Sequence, residues 1–148
     1  MKSSNVIKAA YAIAALIQLA LVAAVVQLNS LTTKKAGVMH HVYYMKDKYA
    51  QGIYSPANLR MQSIAIVAVA VLAVGLLVWC FRHKKSLFFK VQAALAAALG
   101  VIVWYVVNGG FFKSLLTYPY FIMAFEIVLA IQILILIGLK FTAIDRSD

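Results

Sequence analysis

Acidic residues are what this sequence has least of. Its 148 residues include four: Asp47, Glu126, Asp145 and Asp148. There is no paired-carboxylate pattern, no HExxH, no Gly-rich phosphate loop and no Ser-His-Asp ordering, so the common catalytic designs are excluded. We therefore expect a protein that is not an enzyme and carries no cofactor. Cysteine is nearly absent as well. Cys80 stands alone, which rules out an internal disulfide and a thiol pair for redox work. It ends an apolar run, where it reads as a small packed residue rather than a lipidation site. Charge is scarce, at 12% of residues, against about 25% in an ordinary soluble domain.

What charge there is has one dominant sign, with a formal net charge of +10. The basic residues gather in the gaps between apolar runs. That placement reads as anchoring to a lipid bilayer with anionic headgroups. No basic helix face with interleaved aromatics is present, so a nucleic-acid partner is not expected.

The rest of the sequence is 65% hydrophobic and falls into four long runs, at residues 9–29, 61–81, 88–108 and 118–139. About 20 apolar residues cross roughly 30 Å of hydrocarbon as a helix. The runs imply a single all-α integral membrane domain over residues 1–148, a bundle of four transmembrane helices. The first run exceeds the roughly 7–15 apolar residues of a signal peptide, so it reads as a retained first span. Lys90 lies near the start of the third and can snorkel to the interface. Pro56, after Ser55 as a candidate N-cap, marks the start of the second spanning helix, and Pro119 the start of the fourth.

An even number of spans puts both termini on one side. That side carries the compact basic connector Arg82–His83–Lys84–Lys85, and short connectors weigh most in the positive-inside rule. The expectation is a multi-pass protein of the plasma (inner) membrane with both termini cytoplasmic. The outer loop, residues 30–60, then holds Val38, Val42, Met45 and Tyr49 at i, i+4, i+7 and i+11, one face of a helix. Lys46 and Lys48 fall off that face. We read a short interfacial amphipathic helix in this first extracytoplasmic loop, with His40, His41, Tyr43, Tyr44 and Tyr49 at headgroup level. Adjacent histidines diverge by about 100° on a helix, so His40 and His41 do not form a metal pair, and no metal is expected. A haem shared with His83 would need ligands on opposite sides of the membrane.

Glu126 is the one residue in the fourth run charged at neutral pH. A carboxylate there costs roughly 3 kcal/mol or more. It lies about 12 Å along the helix from Tyr118, and Gln18 lies at similar depth from the opposite side. The sequence therefore predicts a Glu126–Gln18 contact. Gln132 is about 120° further round the same helix, so one face cannot hold both. Gln18, Gln132, Tyr11, Gln92 and Asn108 could alternatively line an ion path. Small residues at Ala10 and Ala14, at Ala68 and Gly75, and at Ala93, Ala97 and Gly100 mark faces for close helix packing. The bulky fourth helix reads as peripheral, facing lipid or another protein.

Two functions follow. The leading expectation is a non-enzymatic accessory or interaction protein that binds another membrane protein or a second copy of itself, with Glu126, Gln18 and Gln132 as contact residues. The alternative is a small ion-coupled transporter or oligomeric channel subunit that uses Glu126.

Overall fold

The computed structural model describes residues 2–141, and every regular element among them is helical. Asp145, Arg146 and Asp148 lie outside the described residues. The helices are α1 (Lys2–Lys34), α2 (Ala36–Gln51), α3 (Pro56–Arg82), α4 (Leu87–Asn108), α5 (Gly110–Lys113) and α6 (Tyr118–Phe141). Four of them, α1, α3, α4 and α6, are long and apolar enough to cross a membrane. They coincide with the four runs, and α1 and α3 extend them. In α1 the polar turn after residue 29 stays helical. There the hydroxyls of Thr32 and Thr33 donate to the carbonyls of Asn29 and Ser30 three residues back.

The helix ends follow local chemistry. Pro56 occupies the first turn of α3, where its missing N–H is harmless. Ser55 precedes it, but the expected cap is not made, because its side chain accepts no hydrogen bond from the first turn. Ser86 caps α4, its Oγ accepting from the Phe89 amide at 3.3 Å. Gly109 ends α4, and a Cβ there would meet the Tyr105 carbonyl oxygen at 2.6 Å.

Packing runs in the order α3, α4, α6, α1, with α2 and α5 at the end where α6 begins. This reverses the expectation for the fourth run. Far from peripheral, α6 packs on α1, α2, α4 and α5 and buries Phe121, Ile122, Val128, Leu129, Gln132, Ile135 and Leu139. Bulk was a misleading sign, because large side chains fill a core as readily as they face lipid.

The small residues sort out differently from expectation too. On α4, Ala93, Ala96 and Gly100 are buried. A Cβ on Gly100 would stand 2.9 Å from Ala70 Cβ and 3.2 Å from Ala70 Cα, so this glycine lets α3 and α4 close together. The partner face of α3 carries Ile66, Ala70, Ala73 and Cys80, whereas Ala68 and Gly75 are exposed. On α1, Ala14 is half-buried and Ala10 exposed. Cys80 is fully buried with Phe89, Ile135 and Leu139, as a small packed residue.

Candidate functional site

At mid-bundle three glutamines tie three helices together. Gln18 on α1 donates from Nε2 to Gln132 Oε1 at 3.2 Å and to the Val128 carbonyl at 3.1 Å. Gln132 on α6 donates from Nε2 to Gln92 Oε1 at 2.7 Å and to the Gln92 carbonyl at 3.1 Å. All amide hydrogens of Gln18 and Gln132 are thus in use. A carboxamide suits this role because it donates and accepts without carrying charge. Gln132 is 2% exposed, and paired polar groups at such depth hold helices in register.

The predicted Glu126–Gln18 pair is therefore corrected to Gln18–Gln132. The α6 face turned to α1 and α4 runs through Val128, Gln132, Ile135 and Leu139, at helical spacing. Glu126 lies about 120° away from Gln132, and that angle leaves it pointing elsewhere.

Where it points is indicated by Tyr54, in the connector between α2 and α3. The Tyr54 phenol lies above the ordinary tyrosine range, first through burial, then through the negative charge of Glu126, then through Tyr49. Glu126 itself is half-buried, and Tyr54 belongs to an aromatic cluster. Tyr49 meets Tyr54 edge-on at 6.0 Å and Tyr120 at 6.1 Å. Among the described residues no hydrogen bond ends on the Glu126 carboxyl. On α3, Gln62 lies one turn ahead of the buried Ile66, and its Oε1 is buried with no hydrogen-bond partner among the described residues. Sequence reasoning missed Tyr54 and Gln62. Neither stands out in a chain with eight tyrosines, because only the return of α2 over α6 brings Tyr54 towards the acid.

The α2 helix exists, and Val38, Val42, Met45 and Tyr49 form its covered face, with Val42 1% exposed. His40, His41, Tyr43 and Tyr44 are exposed; Tyr49 alone of the five loop residues is half-buried. Lys46, expected off the covered face, is half-buried instead. Its Nζ donates to the Leu115 carbonyl at 2.9 Å and the Lys113 carbonyl at 3.4 Å. Those carbonyls sit at the end of α5, where a cation is favoured.

The remaining polar groups lie apart from the glutamines. Asn108 Nδ2 donates to Ser63 Oγ and to the Trp104 carbonyl, both at 3.0 Å. Thr117 donates to Asn29 Oδ1 at 2.8 Å, tying α1 to the start of α6. Tyr118 donates from its hydroxyl to the Val107 carbonyl. Tyr11 packs on Phe88 at 5.8 Å. Of the residues that could have lined one path, Gln18, Gln92 and Gln132 join in one tie, whereas Asn108 and Tyr11 make separate contacts.

Clefts open on the surface among the described residues. One of about 600 Å³ lies between the start of α3, the end of α4 and Lys113. Two smaller apolar ones, of about 240 and 220 Å³, lie between α1 and α6 and between α3, α4 and α6. None of the three is lined by Glu126 or by the glutamines. Among the described residues no group of three His, Cys, Asp or Glu side chains could hold a metal ion. No family model, curated protein or solved structure matches this chain.

Proposed function

We propose that this chain is a non-enzymatic membrane protein that works by binding another membrane component, either a different membrane protein or a second copy of itself. The observation that carries the reading is the state of the polar groups inside the spans. Gln18, Gln92 and Gln132 bond to one another and to helix carbonyls, which makes them fasteners of the fold rather than the lining of a path. The surface left for a partner is apolar and includes the outer faces of α1, with Ile13, Leu16, Leu19 and Val26 exposed, and of α3, with Ile64, Val67, Val71 and Leu72 exposed.

In this reading α2 lies at the outer membrane surface with Tyr43 and Tyr44 at headgroup level. Both termini and the basic α3–α4 connector are cytoplasmic, in the plasma (inner) membrane. Labelling with a membrane-impermeant thiol reagent in whole cells checks this. Ala36→Cys and Gly110→Cys react and Lys84→Cys does not; the opposite pattern reverses the orientation.

A second reading is ion coupling at Glu126. It is favoured by a carboxyl whose charge reaches the buried Tyr54 phenol and which accepts no hydrogen bond among the described residues, since intramembrane acids mark ion paths by default. Reconstituted protein separates the two. The interaction reading expects no proton or cation flux. It also expects native complexes, isolated in mild detergent with partners identified by mass, to be lost in a Leu16→Ala/Leu19→Ala variant. Robust flux that Glu126→Gln eliminates would instead establish transport, because glutamine neither releases a proton nor neutralises a cation.

A further inference from the structure

The cleft beside Arg60 and Lys113 has chemistry that neither reading above uses. It measures about 600 Å³, within the roughly 300–1,000 Å³ of ordinary ligand pockets. Its walls come from the first turns of α3, the last turn of α4 and α5. Arg60 and Lys113 both line it, 53 positions apart in sequence. Both are exposed, and no acid among the described residues pairs with either. Asp47 instead accepts from Gln51 at 3.2 Å. The same cleft is lined by a neutral polar pair, Ser63 and Asn108. Ser63 Oγ accepts from Asn108 Nδ2, and its own O–H donates to nothing among the described residues. Ile64 and Val107 continue the cleft as apolar wall into the spanning part of α3 and α4. Ile64 is 70% exposed.

Two cations and a spare hydroxyl donor suit a phosphate group. A soluble phosphate has no use for the apolar wall, whereas a phospholipid has both halves. The start of α3 and the end of α4 are where spanning helices leave the hydrocarbon, so the cleft stands at headgroup depth. We propose that this cleft is a binding site for an anionic glycerophospholipid. The phosphate lies between Arg60 and Lys113 and takes a hydrogen bond from Ser63, and an acyl chain runs along Ile64.

Native mass spectrometry of the full chain in neutral detergent tests this, with phosphatidylglycerol, phosphatidylcholine and inorganic phosphate as probes. Phosphatidylglycerol is expected to bind in preference to phosphatidylcholine. Arg60→Gln and Lys113→Gln are each expected to weaken it about fivefold and the double variant about 25-fold, the effect of one surface cation on an anionic lipid taken once and twice. Lys113→Arg keeps the charge and retains the lipid. Lys48→Gln, exposed on α2 and outside the cleft, leaves binding unchanged. Both cleft cations are exposed, so the lipid-free melting temperatures of these variants match wild type. Equal binding of the two lipids, equal loss in Lys48→Gln, or loss in Lys113→Arg would overturn the site. Inorganic phosphate binding as tightly as phosphatidylglycerol would overturn its assignment to lipid.

Discussion

Helices α1 and α6 look alike as strings of letters and differ sharply as parts of a structure. Their most apolar windows have mean hydropathies of 2.4 and 2.6, yet 6% of the α1 window is buried and 44% of the α6 window. Lipid tails are as apolar as leucine, so no hydrophobic force decides which helix takes the centre. Close backbone approach and polar ties decide it. The α6 helix has Gln132 reaching α4 and accepting from α1. The only polar side chain α1 contributes to that tie is Gln18.

The contrast can be broken most severely where helices come closest. Gly100→Val forces a branched side chain onto the Ala70 backbone and should cost about 3 kcal/mol, the upper end for overpacking, since backbone cannot give way like a side chain. Gly75→Val meets nothing within 4 Å and should be neutral. Reversible unfolding in bicelles measures both. Equal effects would mean that α3 and α4 do not meet on the Ala70–Gly100 face.

Next comes the difference between centre and edge. Ile122→Ala, at a fully buried position of α6, should cost about 2 kcal/mol. That is the low end for a large-to-small core change, because the unfolded alternative is lipid rather than water. Leu16→Ala on α1, at 65% exposed, should change stability by under about 0.5 kcal/mol. A large loss at Leu16 in the isolated chain would indicate that α1 already packs on a second copy.

Smaller still is the separation of the two polar sites. Gln132→Leu removes contacts to both Gln18 and Gln92 and should cost about 1–2 kcal/mol. Glu126→Leu should cost less than about 0.6 kcal/mol, the average for one intramembrane polar contact, because its carboxyl accepts no hydrogen bond among the described residues. If Glu126→Leu proved the more damaging, the glutamine tie would not be what seats α6.

The smallest effect is expected from Tyr54. Its phenol is held above the usual range by burial, by Glu126 and then by Tyr49. The folded chain therefore keeps that proton more tightly than the unfolded chain. The stability it brings is complete below about pH 10, the unfolded value, and is lost as pH rises through the folded value. The difference between wild type and Tyr54→Phe should shrink as pH climbs above about 10, followed by detergent-denaturation midpoints. A difference independent of pH would separate Tyr54 from Glu126.

Much of this molecule was legible in its letters. Run length and hydropathy alone located the four apolar helices, since crossing hydrocarbon requires every backbone group to bond within its own helix. Pro56 marked the start of α3 because a missing N–H costs nothing in a first turn, even though Ser55 supplies no side-chain cap there. The face of α2 through Val42 and Tyr49 came from a period of 3.6. The same arithmetic placed Glu126 and Gln132 on different faces of α6, but it could not say which of those faces Gln18 would meet. That depended on how α1 lies against α6, just as the influence of Glu126 on Tyr54 and the sharing of one cleft by Arg60 and Lys113 depended on how other elements pack. Periodicity describes one helix at a time. The order α3, α4, α6, α1 and every contact between helices were decided by tertiary packing, because in an apolar solvent only shape and polar pairing distinguish one apolar helix from another.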